Sequence, residues 1–343
     1  MTTIAIIGAG MSGLAAAHTL QDIGQTATLF EQTGEVGGRA TTQQREGYIY
    51  DSGAQYIKPG PVSTPFVTER FALPDLIDIV KPVWIFDQQG HIQEGDPLQN
   101  AEAKWSYRSG LTALARRMAQ GLDIRLHTPI ARVQHTTQGW QLFSQANQPF
   151  GPFDRLLITI PAPQAAALIA ATTLPDSLQE YIIDLLRAAR YNPIISVTLG
   201  YTPAPRERPY YALVNTDKAH PISWLAWEHE KSSNRAPEGS GLLIAQLAPA
   251  YSQRHHDTAD EEVIHDTISH VANLLQEPLH MPVFTDIRRW PLALPSQKAD
   301  ADALNALTLP FGLAFCGDSF TGGRVHLALE HGLNVAKQLL AHM

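Results

Sequence analysis

The chain has 343 residues, 44% hydrophobic and 17% charged, a length and composition that bury a full core and exclude intrinsic disorder. A formal net charge of −8 offers no basic field for a polyanion, which excludes nucleic acid and an anionic membrane surface as partners. The single cysteine, Cys316, excludes an internal disulfide and a cysteine-based zinc site, and it suits a reducing cytoplasm.

Residues 4–7, Ile-Ala-Ile-Ile, read as a short buried strand that runs directly into Gly8 with no basic leader, so no signal peptide is expected. Leu14, Ala17, Leu20 and Ile23 follow at helical spacing, with Gly24 placed to stop the helix. Residues 26–30 form the second strand, and Glu31 ends it. Residues 61–105 carry prolines and aromatics with no long helical period and read as an excursion into a second domain. A helix over 110–120, a strand at 124–126, alternating runs at 130–133 and 140–143 and a strand at 156–160 return to the first.

Beyond Pro161 the pattern predicts helices near 164–171, 176–189 and 258–276 and strands near 194–200, 222–228, 242–248 and 283–290. The chain closes on a strand at 313–316 and a helix from 323 to 342. No window approaches 20 uninterrupted apolar residues, so no transmembrane helix is expected. The fold class is thus α/β: a Rossmann-like domain from 1–60, 106–163 and 303–343, with an inserted α+β domain from 61–105 and 164–302.

Gly8, Gly10 and Gly13 match G-x-G-x-x-G between a strand and a helix, with the acidic Glu31 about 20 residues on. Gly8 serves the tight turn, Gly10 admits a pyrophosphate to the backbone, Gly13 lets helix pack on strand, and Glu31 takes a ribose diol. A second glycine turn, Gly37-Gly38, adds Arg39 as a cation beside the pyrophosphate, which simple NAD dehydrogenases do not need. Fourteen histidines are present, and His326 and Glu330 are four apart on the last helix, but no matching ligand set accompanies them and no metal is expected.

Residues 31–41 with their Gly-Gly-Arg resemble the signature of amine-oxidase-like flavoproteins, and Cys316-Gly317-Asp318-Ser319 resembles that superfamily's flavin-closing motif. Asp51-Ser52-Gly53-Ala54-Gln55-Tyr56, Pro161 to Ala165, Ser223 to Ala226 with Lys231 and Arg235, Arg289-Trp290-Pro291 and Gly323-Arg324-Val325 resemble segments of bacterial renalase-like proteins. The resemblance implies a glutathione-reductase-type fold with noncovalent FAD. Its implied cofactor contacts are Gly8, Gly10, Met11, Ser12, Gly13, Glu31, Gln32, Gly38, Arg39, Ala40, Gly53, Ala54, Val133, Asp318, Arg324 and Val325. Asp318 would hold the ribityl chain, and the next helix N-terminus would face the flavin pyrimidine.

Two departures matter. Amine oxidases commonly place an aromatic residue where Arg324 stands, and an arginine there suits a polar or anionic substrate. His326 stands where renalases carry an acid. The resemblance implies oxidation of 2- or 6-dihydro isomers of NAD(P)H to NAD(P)+, with dioxygen as partner and Gln55, Tyr56, Trp290 and Arg324 as the catalytic set. The alternatives are an amine oxidase or desaturating flavoenzyme of the same superfamily, marked by an aromatic pair on the flavin face, and a non-enzymatic FAD-containing binding protein. Cys316 reads as a buried small hydrophobe, and of Trp224 and Trp227 one belongs in the core and one beside a cavity.

Overall fold

The computed structural model describes residues 2–174 and 176–341; the expected helix end at His342 lies outside them. A five-stranded, all-parallel sheet runs in the order Leu313–Phe315, Arg155–Ile158, Thr3–Ile7, Thr26–Phe30, Asp123–Arg125. Helices Met11–Asp22, Thr112–Ala119 and Val325–Ala341 bury one face through Leu14, Leu114 and Leu333. The other face is covered by a three-stranded antiparallel sheet and by helices Ala162–Ala170 and Asp176–Arg187. Strands apolar throughout are what a parallel sheet covered on both faces requires.

The second large sheet has seven strands, in the order Phe284–Gln297, Arg190–Tyr201, Gly241–Leu247, Ile222–Trp227, Ala212–Asn215, Val83–Phe86, Ile92–Gln93. One face packs on helix Asp260–Leu275 through Val263, Val271 and Leu274. The opposite face meets the hairpin Thr42–Arg45 and Tyr48–Asp51 and the loop that follows it.

Several elements differ from the sequence expectation. The last strand of the large sheet runs on to Gln297 through Pro291 and Pro295, a course open to it because it lies at the sheet edge, where a missing N–H costs little. Pro149–Phe153 is likewise an edge strand despite two prolines. One unexpected turn precedes the final helix: Asp318–Thr321 is helical, Gly322 takes φ +113°, and the long helix starts at Val325. Short helices Pro249–Arg254 and Ala301–Thr308 and the strand Ala212–Asn215 carried no signal strong enough to be expected.

Candidate active site

The glycine loop leaves the first strand at Gly8, which takes φ +104°. A Cβ on Gly13 would lie 2.1 Å from the Gly8 carbonyl oxygen, so only glycine lets this helix sit on its strand. At Gly10, by contrast, a Cβ would meet nothing within 4 Å. Helix Met11–Asp22 starts there with no side-chain cap and no acid in its first turn, so its N-terminal N–H groups face an open side. Gly38 approaches the same place, its own Cβ position 3.6 Å from Gly10 Cα.

Glu31 is 7% exposed, yet no cation pairs with it among the described residues. Its carboxylate accepts from Ala9 N at 3.0 Å and from Thr33 N and Oγ1 at 2.9 Å. A cleft of about 290 Å³ runs past Gly8, Glu31 and Gln32 to Thr128 and Ala131. An uncapped helix start, an open glycine and a buried carboxylate beside a cleft fit the dinucleotide half of FAD.

Met11, Ser12 and Ala40 turn their side chains into the protein, which leaves their backbones as the part able to face a ligand. Val133 is fully buried against Phe30, Trp140 and Leu142; residues 128–131 line the cleft, and the Val133 side chain does not reach it. Its place in an alternating strand explains this, since Val133 points to the core face.

Arg39 is not a free cation. Its Nη2 donates to Asp318 Oδ1 at 2.6 Å, and its Nη1 donates to the carbonyls of Leu292 at 2.9 Å and Ala293 at 3.2 Å. Tyr191 donates to the same Asp318 oxygen at 3.0 Å and shares a hydrogen bond of 2.7 Å with Ser319 Oγ. The second glycine loop, the sheet-edge strand and the closing motif are therefore tied together at Asp318.

The loop after the hairpin gathers Gln55, Tyr56 and Trp290 around Gly53. Gln55 Nε2 donates to the carbonyls of Asp51 at 2.6 Å and Gly53 at 3.2 Å. Trp290 Nε1 donates to Ser52 O at 2.9 Å, and its ring edge lies 3.5 Å from the Cβ position of Gly53. Ala54 N donates to Arg39 O at 3.0 Å, which joins the two loops.

Sequence reasoning missed Gln246, whose Nε2 also donates to Gly53 O, at 2.7 Å. Its signal was there: one amide in the otherwise apolar strand Gly-Leu-Leu-Ile-Ala-Gln-Leu. In register, Arg288, Ser196, Gln246 and Trp224 form one row across four strands and so share a face. Trp224 stands 6.2 Å from Tyr56 between ring centroids, whereas Trp227 is fully buried in the core. Arg288 lies over the Trp290 ring at 4.9 Å.

Behind this face lies a buried ion quartet. Lys231 Nζ reaches Asp51 and Glu228 at 2.9 Å each, and Arg235 Nη1 reaches Glu228 at 2.7 Å and Asp51 at 3.1 Å, all four side chains fully buried. Burial opposes the Asp51 charge, but Arg235 and Lys231, with donors from Thr42 and Leu111, hold it below the ordinary carboxylate range. Burial pushes Glu228 up to about 6 against the pull of the same two cations.

Arg324 is exposed, and its Nη1 donates to the carbonyl of its neighbour Gly323 at 3.2 Å. Among the described residues no carboxylate lies within ion-pair distance of it. Val325 and His326 open the last helix half-buried beside it, and burial lowers the His326 imidazole below its ordinary value. Glu330 accepts from Ser63 N at 3.2 Å and Ser63 Oγ at 3.1 Å, which fastens residues 60–63 to that helix. Cys316 is buried, and burial pushes its thiol up to about 12, so it is no thiolate nucleophile.

Known proteins resemble this chain at several levels. A family model described as flavin containing amine oxidoreductase matches residues 77–340, and an NAD(P)-binding Rossmann-like domain model matches residues 6–69. The mitochondrial protoporphyrinogen oxidase of Nicotiana tabacum is 37% identical over 70 residues, 20% of this chain and 14% of that protein. The 4,4'-diapophytoene desaturase of Staphylococcus haemolyticus (strain JCSC1435) is 34% identical over 85 residues, 24% of this chain and 17% of that protein. The chain thus matches less than a fifth of the length of either curated relative.

Among solved structures, a putative protoporphyrinogen oxidase from Exiguobacterium sp. 255-15 superposes with TM-score 0.80 at 15% identity, covering 100% of this chain and 99% of that one. Cyclohexylamine oxidase from Brevibacterium oxydans IH-35A gives 0.76 at 16% identity, covering 99% of both. These two likenesses are of fold. No helix among the described residues is long and apolar enough to cross a membrane. With its parallel sheet, its glycine loops and a family match over residues 77–340, the chain belongs to the flavin containing amine oxidoreductase family, enzymes built on an α/β FAD-binding Rossmann-like fold.

Proposed function

We propose that this enzyme oxidises dihydro isomers of NAD(P) reduced at ring position 2 or 6 to NAD(P)+, as the renalase resemblance implies. One observation supports this over a cationic substrate. The carboxylates on and behind the face around Gly53 are each paired with a cation: Asp51 and Glu228 with Lys231 and Arg235, Asp286 with Arg45, and Asp318 with Arg39. Arg288 and Arg324 make no ion pair among the described residues. A protonated amine would find no free anion there, whereas a neutral ring with a phosphate tail would find two cations.

In this reading residues 1–60, 106–163 and 303–343 bind noncovalent FAD, and 61–105 with 164–302 cover the ring. Gly8, Gly10 and Gly13 bring the helix N-terminus to the pyrophosphate, Glu31 takes the ribose diol, and Asp318 holds the ribityl chain. The chemistry that FAD supplies when bound is acceptance of a hydride at N5, the electron pair passing on to dioxygen. Overall, the dihydro isomer, dioxygen and one proton give NAD(P)+ and hydrogen peroxide. Gln55, Tyr56 and Trp290 position the substrate ring, and Arg324 orients its phosphate. Aromatisation of the pyridinium drives the transfer, so positioning does the work and no strong base is required. The cytoplasm, where pyridine nucleotides are held, is its proposed location.

A second reading, oxidation of an amine or C–H desaturation, draws on the aromatic pair Tyr56 and Trp224. The two are separated by one assay in air with borohydride-treated NAD+, which contains the isomers, and with a panel of amines. The first reading expects one equivalent each of NAD+ and peroxide from the isomers; peroxide from amines alone would overturn it.

A further inference from the structure

We infer that the face around Gly53 reads a primary carboxamide on a flat ring, with Gln55 as the residue that recognises its N–H. This deepens the pyridine-nucleotide reading above and rests on it. The Gln55 amide can sit only one way. Its Nε2 donates to two carbonyls, Asp51 O at 2.6 Å and Gly53 O at 3.2 Å, so its Oε1 must turn away from both. That oxygen is buried and accepts no hydrogen bond among the described residues, on a residue only 8% exposed. Gln246 closes the remaining approach to the Gly53 carbonyl by donating to it at 2.7 Å.

Ser196 and Trp224 flank Gln246 in register on the same face. Ser196 is 1% exposed, and its Oγ, like Trp224 Nε1, is buried without a partner among the described residues. The face therefore offers an unmatched acceptor at Gln55 and unmatched donors at Ser196 and Trp224, with the likewise unmatched Tyr211 hydroxyl in the same cluster as the Tyr56 and Trp224 rings. A buried polar atom without a partner is costly, so several along one face point to a ligand that engages them. None of these groups is ionised, and together they suit a neutral group that both donates and accepts. A primary carboxamide matches Gln55 and Trp224: its N–H donates to Gln55 Oε1, and its carbonyl accepts from Trp224 Nε1. A carboxylate would turn an acceptor onto Gln55 Oε1, and a methyl ketone would leave that oxygen unmatched.

The test is a binding titration of the FAD-loaded protein, read from the flavin absorption spectrum, with nicotinamide, nicotinic acid and 3-acetylpyridine. Nicotinamide is expected to bind about tenfold more tightly than either analogue, the value of one buried hydrogen bond. Gln55→Leu should erase that preference. Trp224→Phe, which removes the indole N–H and keeps an aromatic ring, should weaken nicotinamide and 3-acetylpyridine alike, because both carry the carbonyl. Equal affinities for the three ligands, a preference that survives Gln55→Leu, or no measurable nicotinamide binding would overturn the inference. Failure of the dihydro isomers to be oxidised while the preference stands would instead strike the oxidase reading.

Discussion

Gln55 and Gln246 donate to one and the same oxygen, the Gly53 carbonyl, at 3.2 and 2.7 Å. One amide comes from the loop after the hairpin and the other from the middle of the seven-stranded sheet, so a single backbone oxygen joins the two layers. Residues that share a partner do not act independently. Gln55→Leu and Gln246→Leu should therefore be non-additive in unfolding free energy, with a coupling on the order of 1 kcal/mol. Denaturant unfolding of the two single variants and the double variant measures it; strict additivity would show that the shared carbonyl does not link the layers.

Gly10 and Gly13 separate cofactor binding from folding. A Cβ on Gly13 strikes the Gly8 carbonyl at 2.1 Å, whereas one on Gly10 meets nothing within 4 Å of protein. Gly13→Ala should lower the melting temperature of the FAD-free protein by several degrees, the effect of about 1–3 kcal/mol. Gly10→Ala should leave that temperature unchanged and instead weaken FAD retention, measured as flavin absorbance after gel filtration.

The buried quartet makes a prediction with a definite pH sign. Lys231→Met leaves Glu228 and Asp51 short of a cation and should cost about 3–5 kcal/mol. Glu228 is raised from 4.5 to about 6 in the folded protein, so the folded state holds its proton more tightly than the unfolded chain does. Its contribution to stability is therefore full below 4.5 and is lost as pH rises through about 6. Relative to Glu228→Gln, the wild type should lose on the order of 2 kcal/mol between pH 4 and pH 7. Asp51, held below its ordinary range, acts in the opposite sense and is lost only as pH falls below 3.8. Chemical denaturation from about pH 2 to about pH 7 checks both signs.

Arg324 is exposed and makes no ion pair among the described residues, so Arg324→Ala should change the melting temperature by less than about 1 °C. The same substitution should raise KM severalfold for dihydro isomers that carry phosphates and leave it unchanged for a dihydro-nicotinamide lacking them. A uniform effect on both would remove Arg324 from phosphate recognition.

The first sheet was legible in the sequence because its signals are local: an apolar run, glycines at fixed spacing and an acid after the next strand. The two glycine loops and the buried Glu31 beside them were legible for the same reason. The proposed substrate face was harder to read, since its row of Arg288, Ser196, Gln246 and Trp224 exists only once four separated strands fall into register. Prolines hid the ends of the large sheet, because Pro291 and Pro295 argue against a strand until its edge position is known. Arg39 stood out beside the second glycine pair, but its pairing with Asp318 depends on a fold that brings opposite ends of the chain together.

The most direct test of the account is bleaching of the bound flavin's visible band without oxygen. The donors are borohydride-treated NAD+, pure 1,4-NADH and a panel of primary and secondary amines. The account predicts fast bleaching by the isomer mixture, with little or none by pure 1,4-NADH or by any amine. Bleaching by an amine, with the isomers inert, would contradict it and make the enzyme an amine oxidase in activity as well as in family.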